Sequence, residues 1–250
     1  MAAPLRPVRA REYQLLTEAH RARNKGQART AIRLYRRILI ENPKNLEVAL
    51  RVAPMLAFAG EDFEAWQLFR RVALAYAREK RFTECLAVYR EACRFVPFEF
   101  DAWRLCAELQ LKLKKPEAAF ETLIEGRMRF GRSQTRAQAI ALLNRAREIE
   151  PWDDDLLLDL AELYVSNDQS DLALELLSAL ACRVNGAMLR RVRSLQLRLT
   201  LSIRYVLLWL RACNRTNSGD QRAFPDPVER KRVDTSLEEI RLRQVGARSA

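Results

Sequence analysis

Residues 82–97 read Phe-Thr-Glu-Cys-Leu-Ala-Val-Tyr-Arg-Glu-Ala-Cys-Arg-Phe-Val-Pro. Within them Cys85, Tyr89 and Ala92 fall on one face of a helix, because residues three and four apart lie one above the other. Pro97 then closes the segment. The same series stands earlier as Ala31, Tyr35, Ile38 and Pro43, and later as Ala139, Leu143, Ala146 and Pro151. The interval from Pro43 to Pro97 equals that from Pro97 to Pro151, and the other members of the series keep it too. A fixed internal period of this kind is the signature of a repeat architecture. A single helical hairpin cannot bury its apolar face, whereas stacked neighbours can, and the result works mainly through an extended surface.

Working outward from 82–97, helical periodicity dominates. It predicts helices over 10–24, 28–41, 45–59, 62–79, 82–95, 100–113, 116–130, 135–149, 153–166 and 170–182. The residue before a proline avoids the helical region, so Asn42-Pro43 ends the second helix. Gly60 stops the third. Pro116 opens the seventh, where its missing N–H costs nothing. Asp153, Asp154 and Asp155 favour the positive end of the ninth; they lack the spacing of a calcium loop. Three such helices fill each proline-to-proline unit, so 66–80 belongs to two hairpins at once.

The closest internal echo is Cys106-Ala107-Glu108-Leu109 against Leu160-Ala161-Glu162-Leu163. Small residues at fixed positions let two helix backbones approach, and a large residue four positions on fills the space beside them. Residues 12–45 supply Ala19, Ala31, Tyr35, Ile38 and Pro43. Residues 66–99 supply Ala73, Tyr76, Cys85, Tyr89, Ala92 and Pro97. Residues 100–133 supply Trp103, Ala107, Ala119, Leu123 and Gly126, and residues 154–187 supply Leu157, Leu160, Ala161, Tyr164, Ala173, Leu177 and Leu180. On these residues, 10–185 resembles the tetratricopeptide repeat family. The resemblance implies an all-α, right-handed superhelical solenoid of antiparallel helix pairs, about ten helices in all, that serves as a non-catalytic protein–protein scaffold. It also implies that inner-helix side chains meet the partner peptide or helix. Carried onto this sequence, these are His20, Arg23, Asn24, Arg104, Glu108, Lys112 and Glu162. The family's clamp for peptide carboxylates is not matched, because Leu16 and His20 occupy its first-repeat positions. The plain alternative for all these residues is a solvated polar face; Arg104 and Glu108 also make an ordinary i, i+4 pair.

Composition bounds the rest. The chain has 250 residues and a formal net charge of +12, with 49% apolar and 30% charged residues. Basic residues are predominantly Arg, spread along the chain. The charge is uneven: residues 1–43 and 183–213 are strongly basic and 44–182 mildly acidic. Such asymmetry steers an acidic partner or surface to the ends, or joins copies of the chain end to middle. Nucleic acid is disfavoured by the acidic centre and by the absence of a known reading module.

Residues 187–213 are expected to form one basic, apolar helix. Arg190, Arg191, Arg193, Arg198, Arg204 and Arg211 share one arc of it, with Val192, Leu195, Leu199, Ile203, Val206 and Leu210 opposite. Three readings compete: a cap on the repeat array, an anionic membrane surface, and a nucleic acid or acidic protein. The expected organisation is a tail over 1–9, the repeats over 10–185, the basic helix over 186–213, and a flexible tail over 214–250 with a short helix near 234–243.

No chemistry-bearing motif emerges. His20 is the sole histidine and no phosphate-binding loop is present. No catalytic, metal or cofactor residue is expected. Cys85, Cys93, Cys106, Cys182 and Cys213 contain no C-x-x-C pair and are odd in number. Reduced thiols, and the lack of an apolar stretch from Met1 to Leu16, lead to a cytoplasmic expectation, peripheral on a membrane's inner face in the second reading.

Overall fold

The computed structural model describes residues 7–200 and 203–214. Among these residues all regular structure is helical. The chain divides after Arg129 into two compact units. The first holds α1 (Pro7–Asn24), α2 (Ala28–Glu41), α3 (Leu46–Phe58), α4 (Asp62–Arg78), α5 (Phe82–Phe95), α6 (Phe100–Lys112) and α7 (Pro116–Arg127). The second holds a short 3-10 turn (Ser133–Thr135), α8 (Arg136–Ile149), α9 (Asp154–Ser166), α10 (Ser170–Ala181), α11 (Gly186–Thr200) and α12 (Ile203–Asn214). The ten repeat helices fall where periodicity predicts them, with ends moved by a few residues. The proposed tail helix near 234–243 lies outside the described residues.

Two kinds of turn join most of the helices. In the first, the chain passes through a left-handed residue: Gly26 (φ 73°), Gly60 (81°), Lys80 (59°), Lys114 (56°) and Asp168 (58°). The next residue's N–H then reaches back across the helix end. Gln27 donates to the Ala22 carbonyl at 2.9 Å, Glu61 to Leu56 at 2.9 Å, Arg81 to Tyr76 at 2.9 Å, Lys115 to Gln110 at 3.0 Å and Gln169 to Tyr164 at 2.9 Å. This is a Schellman closure, which satisfies carbonyls the helix leaves open.

In the second kind, a proline closes the helix and a polar side chain opens the next. The N–H groups of Asn42, Val96 and Glu150 donate to Ile38, Ala92 and Ala146 at 2.7, 2.8 and 3.0 Å, and Pro43, Pro97 and Pro151 follow. Just beyond each proline, Asn45 accepts from the Val48 N–H at 3.0 Å, Glu99 from Asp101 at 3.4 Å and Asp153 from Leu156 at 2.8 Å. These are N-caps, each worth about 1 kcal/mol. The period therefore repeats both turn types as well as the core series.

That series is the core. Ala31, Tyr35, Ile38, Cys85, Tyr89, Ala92, Ala139, Leu143 and Ala146 are all buried. Burying a Leu- or Ile-sized side chain contributes roughly 1.5–3 kcal/mol before entropy is counted. Helix α4 packs against both α3 and α5, so it does serve two hairpins. At one crossing the backbones come especially close: a Cβ added to Gly126 on α7 would sit 2.8–3.0 Å from Trp103 of α6. The Trp103 indole N–H donates to the Pro97 carbonyl at 2.9 Å, tying that ring to the proline turn.

The C-terminal expectation is corrected. In place of one helix over 187–213, two helices, α11 and α12, pack against each other. Helix α11 buries Val192, Leu195 and Gln196 and lies against α10. An apolar stripe on both helices gains more by folding one on the other than by standing in water. No Gly or Pro marks the break in the sequence, so nothing there announces it.

Candidate functional site

Each sequence-derived candidate has a definite place. His20, Arg23 and Asn24 lie on the last turns of α1. Arg51 of α3 brings its Nη1 to 2.7 Å from His20 Nε2 while its Nη2 meets Glu47 at 2.5 Å. Against a guanidinium the imidazole nitrogen must act as acceptor. Burial, then the charges of Arg51 and Arg23, hold His20 below its ordinary value despite Glu47. Its ring lies 6.1 Å from that of Tyr35, whose buried hydroxyl has no hydrogen-bond partner among the described residues. Arg23 and Asn24 are exposed.

Arg104 on α6 is held from both sides. Its Nε and Nη2 donate to Asp101 at 3.0 and 2.8 Å, and its Nη1 to Glu108 at 2.8 Å. Lys112, at the end of the same helix, is exposed. Glu162 on α9 meets Arg191 on α11 through both oxygens, at 2.7 Å from Nε and 2.9 Å from Nη2. One partner candidate and one docking candidate thus bind each other.

The remaining docking arginines do not form one stripe, because 187–213 is two helices. Arg193 donates to Gln196 at 2.9 Å. Arg190 and Arg198 share α11 with it, Arg211 is on α12, and the Arg204 side chain lies outside the described residues. Beside Arg211 on α12, Val206, Leu207 and Leu210 are exposed.

A cleft that the sequence reading did not anticipate opens between α5, α6 and α7, with a volume of about 420 Å³. Cys93 of α5 and Cys106 and Trp103 of α6 are among the residues that line it. Interaction with the neighbouring Cys106 thiol, and burial, push the Cys93 thiol up. Gln110, 1% exposed, lines the wall, and its carbonyl oxygen has no partner among the described residues. At the rim, α5 presents Arg90 and Arg94, and α7 presents Glu121 and Glu125. Glu125 makes a loose pair with Arg129 at 3.9 Å. Arg94 lies over the Phe95 ring at 5.4 Å, and neither Arg90 nor Arg94 meets a carboxylate among the described residues.

The sequence did hold a signal for this cleft. In the echo of 106–109 against 160–163, Cys106 stands where Leu160 does. Residue for residue, one period on, Cys93, Gln110, Ala118 and Thr122 become Arg147, Tyr164, Leu172 and Leu176. Every replacement is larger. Of these, Leu160 and Leu176 are fully buried and Arg147 and Tyr164 nearly so. The Tyr164 hydroxyl donates to Asn144 Oδ1 at 3.2 Å.

Among the described residues no three His, Cys, Asp or Glu side chains converge as metal ligands, and no helix is long and apolar enough to cross a membrane. A family profile, tetratricopeptide repeat, matches residues 132–184. Those residues are similar to a tetratricopeptide repeat in degenerate form. The match spans α8, α9 and α10, with the proline turn at Pro151 and the Schellman turn at Asp168 inside it. The helix pairs of residues 7–129 follow the same arrangement of small and large core residues.

No curated protein matches the chain. Solved structures with similar helices include a tetratricopeptide repeat protein from Parabacteroides merdae at 12% identity, covering 92% of this chain and 98% of that one with a TM-score of 0.30. A thermophilic tetratricopeptide repeat protein of Thermus thermophilus is 16% identical, with coverage of 91% and 99% and a TM-score of 0.33. The pilF protein of Pseudomonas aeruginosa is 15% identical, with coverage of 92% and 99% and a TM-score of 0.29. At this distance none of them lends this chain a partner.

Proposed function

We propose that this protein is a non-catalytic scaffold that holds a polypeptide partner on the surface of its helix pairs, in a cytoplasmic setting. The observation that carries this reading is the match to the tetratricopeptide repeat at 132–184, together with a first unit built from the same turns and core series. Arrays of stacked hairpins expose long, rigid helix faces suited to such binding. In this reading 10–185 is the repeat domain, and His20, Arg23, Asn24, Arg104, Glu108, Lys112 and Glu162 are candidate contacts. Residues 186–213 cover its end, flanked by tails 1–9 and 214–250.

The test is cross-linking mass spectrometry on the full chain with a captured partner. Cross-links from Lys112 and neighbouring Lys114 and Lys115 to a single partner support the scaffold, as does weakened capture in Lys112→Glu. A chain that captures no partner at physiological salt sinks it.

A second reading is peripheral docking on an anionic membrane through Arg190, Arg198 and Arg211. What favours it is the exposed Val206, Leu207 and Leu210 beside Arg211 on α12. Basic residues and an apolar face together are what an interfacial helix needs. Vesicles containing phosphatidylserine should then sediment the protein at low salt, and Leu207→Glu should release it. If it stays in the supernatant, this reading is lost.

A further inference from the structure

We propose that the cleft between α5, α6 and α7 receives an aromatic side chain with a hydrogen-bond donor at its tip, a tyrosine of the partner polypeptide, and that Arg90 and Arg94 meet carboxylates beside that tyrosine. The proposal rests on the scaffold reading and names where and by what chemistry one contact is made.

Four observations carry it. The first is the space, about 420 Å³, lined by Trp103, Ala118 and two thiols. That part of the wall is soft and apolar within an otherwise polar lining, and sulfur beside a ring is a favourable contact. The second is Gln110. A buried amide oxygen without a partner bears its full desolvation cost, so a site that keeps one gains by receiving a donor. Its terminal torsion is broad and soft, so a small rotation turns the oxygen towards an occupant.

The third is charge. Arg90 and Arg94 stand at the rim on α5 with no ion pair to a carboxylate among the described residues, across from Glu121 and Glu125 on α7. A guanidinium recognises a carboxylate through two parallel bonds, so an occupant's carboxylates are held on the α5 side. The fourth is the counterpart one period on. There the chain supplies its own bulk at the same positions: Leu160, Leu172, Leu176 and Tyr164, whose hydroxyl donates to an amide oxygen. In the first unit smaller side chains stand at those positions, with Gln110 in place of Tyr164 and Arg90 in place of its acceptor Asn144, so the space is left open to an occupant.

The cleft does not suit a bare metal ion, because among the described residues no three His, Cys, Asp or Glu side chains converge there as ligands. Nor does it match an all-apolar insert, which would leave Gln110 unanswered.

The probe is a fluorescein-labelled peptide, Glu-Glu-Tyr-Glu-Glu, titrated into the full chain and read by anisotropy. Saturable binding is expected, weakened roughly tenfold or more in Arg90→Glu/Arg94→Glu and by added salt. Exchanging the peptide's Tyr for Phe removes one donor and should weaken binding roughly 2- to 10-fold. Cys106→Leu/Gln110→Tyr installs the counterpart's side chains, should abolish binding, and is checked for an unchanged helical spectrum. Cys106→Leu alone is the second variant should the pair fail to fold.

No saturable binding, or equal binding by the filled variant, overturns the proposal. The scaffold reading is judged separately. If wild type and the filled variant capture the same partner equally, the cleft proposal fails and the scaffold stands. If wild type captures nothing, the scaffold itself fails.

Discussion

The three-helix corner of α5, α6 and α7 and its counterpart one period on, α8, α9 and α10, share one pattern of turns and backbone closures, yet they distribute volume in opposite ways. In the first, Trp103 crosses Gly126; in the second, Leu157 stands opposite Leu180, and both leucines are fully buried. That exchange conserves bulk by trading a large-small pair for two of middle size, the kind of swap that cores tolerate. At the inner positions of the cleft, Cys93, Cys106, Gln110, Ala118 and Thr122 are all smaller than their counterparts, while Arg90 and Glu125 are larger than Asn144 and Ala179. Protein interiors close their gaps to crystal-like density, so a hollow at those inner positions is a specific departure.

The sharpest way to break this contrast is to hollow the filled corner. Leu160→Ala should lower stability by about 3 kcal/mol, whereas Cys106→Ala, beside existing space, should cost under about 1 kcal/mol. Urea unfolding of both variants measures the difference, and equal losses would mean the first corner is packed after all. Next, Gly126→Ala forces a methyl against Trp103 and should cost about 2 kcal/mol, seen as a lower melting temperature.

Filling comes third. Cys106→Leu adds apolar surface where room exists and should leave stability unchanged or raise it by up to about 1 kcal/mol. A loss larger than that would argue against the hollow. Fourth, the left-handed turn residue is matched between the corners as Lys114 and Asp168. Relief of the side-chain strain at positive φ predicts a gain of about 0.5 kcal/mol for Lys114→Gly and a similar one for Asp168→Gly by thermal melting. Unequal gains would show that the two turns are not equivalent.

The smallest effect concerns acid. His20 is held below its ordinary value, so the folded state binds its proton less readily than the unfolded chain does. The contribution is fully present above the unfolded value of about pH 6.5 and is lost as pH falls from there through the lower folded value. His20→Gln should flatten the slope of melting temperature between about pH 7 and about pH 5. The residue one period on from His20 is Leu74, so no matching response is expected from that position.

Much of the fold was legible because its signals are local. The proline turns at Pro43, Pro97 and Pro151 and the series ending in Ala92 each report on one helix end or face. The break between α11 and α12 was not legible, because it depends on two apolar stripes meeting and leaves no turn residue behind. Pro54, by contrast, lies inside α3 among the buried Val52, Ala53 and Leu56 without ending the helix that periodicity predicts there. Of the candidate residues, the sequence placed Arg104 with Glu108 correctly through i, i+4 spacing. It had no means of joining Glu162 to Arg191, which sit on helices separated by the whole of α10. The cleft was half visible, as Cys106 opposite Leu160, but a substitution to a smaller residue reads as core until its neighbours are known to be small as well.

Arg191 lies past the last residue of the recognisable repeat, yet it reaches back to Glu162 on α9, and α11 covers α10 with Val192 and Leu195. What can be copied as a repeat and what can stand alone in water are therefore different lengths of chain. Duplication can act on one proline-to-proline unit at a time, but each new copy placed last would inherit an uncovered flank, and a segment such as 186–200 must travel with it or be reinvented.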